Sequence, residues 1–208
     1  MLRNIIYISG GIFLFFAGML AYGMLLNIRE VTLQEAMQEK NISELENVSI
    51  LVRKSKFRLE LYTDTVLVKS YRAVFGKNLK PEKVKKGDYI TPTGVYKICN
   101  KDSLSKFYKF FKINYPNEID ITEAYRKKII DRTLFTKLLE VVKNGNCSYI
   151  DSEITEEIGI HGVGRFNLIF KNLPFAFNWT NGSIAICDEG MDELDKIIKI
   201  GTKVTIVN

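Results

Sequence analysis

A long uncharged apolar run near the N-terminus is the feature that most constrains this chain. The run extends from Ile5 to Leu26 and contains no acidic or basic residue. As a helix rising about 1.5 Å per residue, it is long enough to cross the ~30 Å hydrocarbon core of a bilayer. Arg3 precedes the run, and Arg29 after it is offset by Glu30. This weak charge bias favours an N-terminus inside and a body outside the membrane.

The same run has a second interpretation, which is a signal peptide removed after export. Ala21-Tyr22-Gly23 has the small-x-small pattern of a cleavage site, and the region before the run is short and basic. The run is longer than the apolar core of a typical signal peptide, which favours an uncleaved single-pass anchor. Both interpretations place the rest of the chain outside the membrane.

The remaining sequence divides into a connector and one folded domain. We assign residues 1–27 to the anchor or signal peptide, 28–47 to a linker with a short helix, and 48–208 to the domain. Thr32-Leu33-Gln34-Glu35 has the pattern of a capping box, which predicts the start of that short helix. A domain of this length can bury an ordinary hydrophobic core.

Most of the domain has strand patterns, which predict a mainly β fold with peripheral helices. Phe57, Leu59 and Leu61 alternate with polar residues and so share one face of a strand. Pro92 and Gly94 indicate a tight turn before another strand. Strands are predicted at 49–53, 57–62, 65–75, 95–99, 106–114, 158–161, 184–187 and 203–207. Residues 76–86 are predicted to form a basic solvated loop, and 165–177 a long, partly apolar loop.

Two parts of the domain have helical spacing instead. Ile130, Leu134, Leu138 and Val142 recur every four residues within 120–143, which predicts a helix with one buried face. We treat residues 118–150 as a helical insert between strands. A second helix is predicted over 190–200, with Met191, Leu194 and Ile198 facing inward.

The charge and the cysteines exclude some classes of function. The net charge of +6 suits an anionic neighbour, although it also serves solubility, and the basic residues are scattered without an aromatic–basic RNA-binding motif. No nucleic-acid partner is therefore expected. Cys99, Cys147 and Cys187 lack the spacing of a zinc site, so no metal is expected. One disulfide with a remaining thiol and three reduced cysteines both fit the sequence.

A candidate catalytic pair lies in the C-terminal third. The only histidine, His161, ends an apolar stretch, and the turn Thr180-Asn181-Gly182-Ser183 follows it. A base and a hydroxyl or thiol nucleophile are the minimal components of an acyl-transfer site. The alternative is that these residues have structural roles only: His161 in the core, Ser183 in a turn and Trp179 in packing.

Several stretches together resemble the L,D-transpeptidase catalytic domain, the YkuD-type domain. Gly87-Asp88-Tyr89-Ile90-Thr91-Pro92-Thr93-Gly94-Val95-Tyr96 resembles the family's G-D-x-x-T-P-x-G-x-Y turn and strand. Ile160-His161-Gly162 is similar to its histidine motif. Trp179-Thr180-Asn181-Gly182-Ser183-Ile184-Ala185 resembles its W-T-x-G-C-I-A motif. Met191-Asp192-Glu193-Leu194 and Gly201-Thr202-Lys203-Val204 follow in the family's order. The resemblance covers roughly residues 48–208 and implies a sandwich-like or barrel-like β domain.

The resemblance also implies a reaction and roles for particular residues. The family's enzymes cross-link peptidoglycan stem peptides: a thiolate attacks a carbonyl beside a D-amino acid, and the acyl group passes to an amine on a neighbouring stem. By position, His161 is the general base, and the carbonyl of Gly162 orients it. Gly182 and the amide at position 183 lie where the oxyanion hole forms.

Other positions of the motif carry over with supporting roles. Thr180, Asn181 and Ile184 support the turn, and Trp179 and Arg165 are candidates for the substrate cleft. The resemblance implies no cofactor. It implies stem peptides as partners, a bacterial cell membrane location with the domain on the wall side, and a role in wall synthesis and cell shape. The oligomeric state is not indicated.

The nucleophile position is where the sequence departs from the family. It holds Ser183 instead of cysteine, and the surrounding residues fix this alignment. A serine hydroxyl is a far weaker nucleophile than a thiol and depends on its base during the attack. Three explanations are open: an engineered Cys→Ser substitution, a natural homologue that binds wall peptide without catalysis, and a true serine enzyme. The third fits the chemistry least.

Overall fold

The computed structural model describes residues 2–27, 31–80, 82–144, 147 and 150–208. Helix α1 (Leu2–Asn27) covers the apolar run. Its part from Leu2 to Leu25 has a mean hydropathy of 1.9 and is long and apolar enough to cross a membrane. Helix α2 (Leu33–Glu39) begins at the predicted capping box, in which Thr32 and Glu35 exchange hydrogen bonds. The sequence therefore located both N-terminal helices.

Within the described residues, eight strands form one sheet, which confirms the predicted mainly β class with helices around it. The strands are β1 (Val48–Arg53), β2 (Arg58–Thr63), β3 (Val66–Arg72), β4 (Gly94–Ser105), β5 (Tyr108–Ile113), β6 (Gly159–His161), β7 (Ile184–Ala185) and β8 (Lys203–Val207). Their order is β3-β2-β1-β8-β4-β5-β6-β7. The β1–β8 and β6–β7 pairs are parallel, and the other pairs are antiparallel.

The sheet curves so that its last strand meets the segment that follows β3. The amides and carbonyls of Val74 and Ala185 exchange two hydrogen bonds of 2.9 Å. Gly76 forms a further bridge to Thr180. The core inside this curved sheet contains Tyr71, Phe75, Tyr96 and Phe111, all nearly inaccessible to solvent. The curvature brings the turn at 180–183 into contact with the loop after β3.

The helical insert consists of two helices, α3 (Glu118–Arg126) and α4 (Arg132–Lys143), where the sequence predicted one continuous segment. Asn117 and Asp131 cap their N-termini, and such side chains favour new helix starts. The insert has its own apolar cluster, centred on Ile121, Leu138 and Ile154. A disulfide joins Cys99 of β4 to Cys147 after α4, which answers the question that the cysteine count left open. Cys187 lies outside this disulfide.

Two loops differ from their predictions. The 165–177 region contains a helix, α5 (Asn167–Asn172), where the sequence predicted only loop. In the basic loop, the side chain of Lys83 is almost fully buried, with ion pairs of 2.7 Å to Asp88 and 2.6 Å to Glu156. Its burial corrects the prediction that all lysines of this loop are solvated. The last helix, α6 (Asp188–Ile197), buries Met191 and Leu194 as expected.

Candidate active site

Strands β6 and β7 bring the histidine and the serine turn to one cleft. The two strands are parallel, and Ile160 pairs with Ile184 while His161 pairs with Ala185. Ile160 and Ile184 are fully buried, so the hydrophobic core fixes this register. His161 and Ser183 both line a cleft of about 460 Å³. The core thus places the candidate base and the candidate nucleophile in the same cleft.

His161 is buried in the wall of the cleft. Its Nδ1 lies 2.7 Å from the carbonyl oxygen of Gly162. Because a carbonyl can only accept, Nδ1 carries the proton, and in the neutral ring Nε2 carries the lone pair. Burial lowers the pKa of His161 below its ordinary value of 6.5, and the hydrogen bond to Gly162 opposes this effect only partly. The imidazole is therefore neutral at pH 7 and can accept a proton.

Three aromatic rings surround the imidazole. Phe107 lies 4.8 Å from it between ring centroids, and Phe110 stacks at 6.2 Å. Trp179 meets it edge-on at 6.0 Å. Phe110 is the direct cross-strand partner of His161 in the β5–β6 pair. These rings fix the plane of the imidazole and account for its desolvation. Phe107 and Phe110 were not predicted as site residues, because only the strand pairing places them there.

The turn before β7 is held by the hydroxyl of Thr180. This hydroxyl donates to the Ser183 carbonyl at 2.6 Å and accepts from the Gly182 amide at 3.2 Å. Gly182 has a φ of 125°, and a Cβ there would lie 2.9 Å from the Ile90 carbonyl oxygen. Only glycine tolerates both conditions. The Gly182 amide is thus bonded within the turn, so binding an oxyanion there would require it to leave Thr180.

Ser183 is partly exposed and lines the cleft. Its Oγ accepts a hydrogen bond of 3.2 Å from the amide of Gly159. A Cβ on Gly159 would lie 2.5 Å from the Phe111 carbonyl oxygen, so glycine is required where β6 passes β5. An oxygen or sulfur atom at position 183 therefore has a backbone donor beside it.

Asp188 supports the loop that follows His161. Its Oδ1 accepts hydrogen bonds from the amides of Val163 at 2.7 Å and Gly164 at 3.0 Å. A Cβ on Gly162 would overlap this carboxylate. The first residue of α6 thus holds the backbone whose carbonyl binds Nδ1 of His161. No sequence pattern indicates this role, because the acidic residues near α6 resemble an ordinary solvated helix face.

Most of the predicted site residues lie in the wall of the cleft or directly behind it. His161, Trp179, Thr180, Asn181 and Ser183 line the cleft, together with acidic residues that were not predicted: Asp102, Glu156 and Glu157. Gly162, Gly182 and Ile184 are buried behind them.

Arg165, the other candidate for the substrate cleft, lies elsewhere. It is exposed and stacks its guanidinium on the ring of Phe166, outside the cleft lining. The described part of the chain contains no group of His, Cys, Asp or Glu side chains that could hold a metal ion.

A neutral imidazole and a hydroxyl in one cleft can support acyl transfer through a histidine-assisted nucleophile. Residues 47–206 match the sequence profile of the L,D-transpeptidase catalytic domain, YkuD. The chain therefore belongs to the L,D-transpeptidase catalytic domain family. No curated protein sequence matches it.

The solved structures that are similar to this chain share little sequence with it. Bdellovibrio bacteriovorus Bd1075 is 18% identical with a TM-score of 0.49, over 78% of this chain and 48% of that one. The helical cell shape determining protein Pgp2 from Campylobacter jejuni is 16% identical with a TM-score of 0.49, over 85% and 54%. An L,D-transpeptidase from Mycobacterium tuberculosis H37Rv is 14% identical with a TM-score of 0.43, over 78% and 58%. The chain thus spans about half of the length of these proteins.

Proposed function

We propose that this protein is a membrane-anchored L,D-transpeptidase-type protein that faces the cell wall. Its cleft takes peptidoglycan stem peptides, and acyl transfer proceeds through the side chain at position 183 with help from His161. The observation that carries this proposal is the neutral His161, with its lone pair on Nε2, in the same cleft as the Ser183 hydroxyl. Membership of the family supplies the substrate class.

The proposed reaction assigns each proton to a named atom. The oxygen of Ser183 attacks the peptide carbonyl while its proton passes to Nε2 of His161. The carbonyl carbon forms a new bond to this oxygen, and the bond to the terminal D-residue breaks. Nε2 returns the proton to the departing amine. An amine on a second stem then attacks the acyl carbonyl carbon, and the bond between this carbon and the Ser183 oxygen breaks. The proton that the attacking amine loses passes through Nε2 to the Ser183 oxygen.

Serine at this position makes the reaction slow. His161 is held by a carbonyl oxygen, which orients the ring but stabilises an imidazolium less than a carboxylate does. A thiol reacts more readily, because its pKa is about 8.5 and it ionises before the attack. We therefore expect the Ser183→Cys variant to be much more reactive than the unsubstituted protein.

The test is acylation by a carbapenem, a β-lactam class that the family's thiolates attack. Intact-mass spectra should show the covalent adduct on Ser183→Cys and little on the unsubstituted chain. Ser103→Cys, an exposed position on β4, is the matched control for a thiol outside the cleft. His161→Gln in the Ser183→Cys background should slow the adduct. A folded Ser183→Cys protein without adduct would refute a competent site.

A second function is favoured by the Ser183 hydroxyl itself. A site with a weak nucleophile and a carbonyl-held histidine can retain stem-peptide binding without turnover. This wall-binding protein would sediment with purified sacculi, and His161→Ala would leave the binding intact. Turnover of stem peptides by the unsubstituted chain would exclude this function.

The membrane location needs its own test. The length and hydropathy of α1 support an uncleaved anchor, and a cleaved signal peptide is the alternative. We expect the full chain to remain with membranes after alkaline carbonate extraction and to keep its original N-terminus. A mature chain that begins after Gly23 would show that α1 is a cleaved signal peptide and that the protein is secreted.

A further inference from the structure

The segment at 165–177 exposes five large apolar side chains. Between 48% and 59% of the surface of each is accessible. They are Phe166, Leu168, Ile169, Phe175 and Phe177. Clusters of this kind on a protein surface mark contact sites with a partner or a membrane.

This segment is firmly attached to the body of the domain. The guanidinium of Arg72 donates to the carbonyls of Leu173 and Phe175 and lies over the ring of Phe170. Phe170 and Ala176 pack into an apolar cluster with the strand β7. The inward side chains thus secure the segment, while the apolar side chains named above remain on its outer side.

Helix α1 packs directly against this segment. Gly23 of α1 is buried, and its Cα approaches the carbonyl of Asn172 so closely that a Cβ would overlap it. The contact therefore involves the last turns of the apolar span, which ends at Leu25. Gly23 lies only about 3 Å along the helix axis from that end, at about 1.5 Å per residue.

The position of Gly23 sets the depth of the segment relative to a bilayer. If the span from Leu2 to Leu25 fills the hydrocarbon core, α5 lies at the boundary between acyl chains and headgroups. Amphipathic elements that bind membrane surfaces bury their apolar face about 5–10 Å into this boundary. Phe and Leu side chains on such an element, with a basic residue such as Arg165 beside them, are typical of this mode of binding.

We propose that residues 165–177 form a membrane-docking segment that inserts its outer apolar side chains into the bilayer surface beside α1. This inference rests on the proposed membrane anchor. His161 precedes the segment by only a few residues, and Gly164 lies beside Tyr108 at the start of β5. Docking would therefore hold the catalytic cleft close to the outer surface of the membrane.

The test uses the full chain in vesicles of phosphatidylethanolamine and phosphatidylglycerol. A photoreactive benzoylphenylalanine replaces Phe166 or Phe175, and irradiation is followed by mass spectrometry of lipid and protein adducts. The control position is Ile119, which is also exposed but lies on α3. The control position lies far from the segment, because α3 follows Ile113, the end of β5 opposite Tyr108. At ~3.4 Å per residue, Ile113 lies about 17 Å from Tyr108.

We expect several-fold more lipid adduct at positions 166 and 175 than at 119. Phe175→Ser combined with Phe177→Ser should lower the adduct at position 166 several-fold, whereas Ile119→Ser should not. Equal labelling at all three positions, in a chain that resists carbonate extraction, would overturn the docking and leave the anchor. Adducts to protein instead of lipid would also overturn it. A chain released by carbonate would refute the anchor, and the docking with it.

Discussion

The amide of Gly159 donates a hydrogen bond of 3.2 Å to the Oγ of Ser183. The strand that ends in His161 thus supplies both the candidate base and a donor to the candidate nucleophile. An amide that donates to an atom favours the charged form of that atom. This hydrogen bond has little effect on a hydroxyl, which stays protonated, but it stabilises the thiolate form of a thiol.

In the Ser183→Cys variant, we expect the Gly159 amide to lower the pKa of the new thiol below about 8.5. The measurement is the pH dependence of iodoacetamide alkylation, in a Cys187→Ser background. Ser103→Cys, exposed and outside the cleft, provides the reference thiol. A midpoint for Cys at position 183 above that of the reference would mean that burial outweighs the amide.

His161 should make the fold sensitive to mild acid. Burial holds its pKa in the folded state below 6.5, so the unfolded chain takes up a proton first as the pH falls. The free energy of unfolding should therefore decrease as the pH falls below 6.5. Urea unfolding at pH 7.5 and 5.5 measures this change, and His161→Gln should show a smaller decrease. An equal decrease in both proteins would contradict the prediction.

Asp120 should act in the opposite direction. Burial raises its pKa to about 6, although the Asn117 amide and the Tyr96 hydroxyl both donate to it. Between pH 3.8 and 6 the folded state then binds more protons than the unfolded chain, so stability falls as the pH rises. The loss should total up to about 3 kcal/mol. Asp120→Asn keeps the shape and should flatten this part of the urea-unfolding profile. If the Asp120→Asn variant keeps the slope of the parent protein, Asp120 is not the source of this pH dependence.

Thr180 is expected to stabilise the nucleophile turn through its hydroxyl. Thr180→Val removes both hydrogen bonds at a buried position and should cost about 1–3 kcal/mol of unfolding free energy. It should also slow carbapenem acylation in the Ser183→Cys background. Thr122→Val is the matched control, because Thr122 bonds a helix carbonyl on the exposed face of α3. Similar losses in both variants would mean that the turn does not depend on this hydroxyl.

The disulfide between Cys99 and Cys147 should stabilise the attachment of the helical insert. It joins residues 48 positions apart. The chain-entropy relation gives about 4 kcal/mol for a loop of this size. Urea unfolding with and without reductant should show a loss of up to this amount. A double variant, Cys99→Ser with Cys147→Ser, should not respond to reductant. If it matches the oxidised protein in stability, the prediction fails.

Local patterns in the sequence were sufficient for most elements of the fold. Alternating apolar residues located β2, and the capping box located α2 to the residue. The motif around Ser183 and the lone His161 pointed to the cleft, because these residue types have few other reasons to occur in such an order. Their roles in catalysis remain predictions.

Features that depend on pairing across the fold could not be predicted. Phe110 reaches His161 only through the β5–β6 register. The side chain of Lys83 can be buried because it pairs with Glu156, which is distant in sequence but near in space. The helix α5 is short and weakly patterned, since part of its apolar surface faces away from the core. Such contacts are set by tertiary packing rather than by local propensity.

The bonds between Val74 and Ala185 have a consequence for the behaviour of many copies together. A strand at the end of a sheet order normally presents unpaired amides and carbonyls, which recruit strands from other molecules and lead to aggregation. Here β7 is already paired on that side by the chain's own residues. If α1 anchors the chain as proposed, neighbouring copies share one plane and collide often. The pairing at β7 protects copies from joining through this end of the sheet.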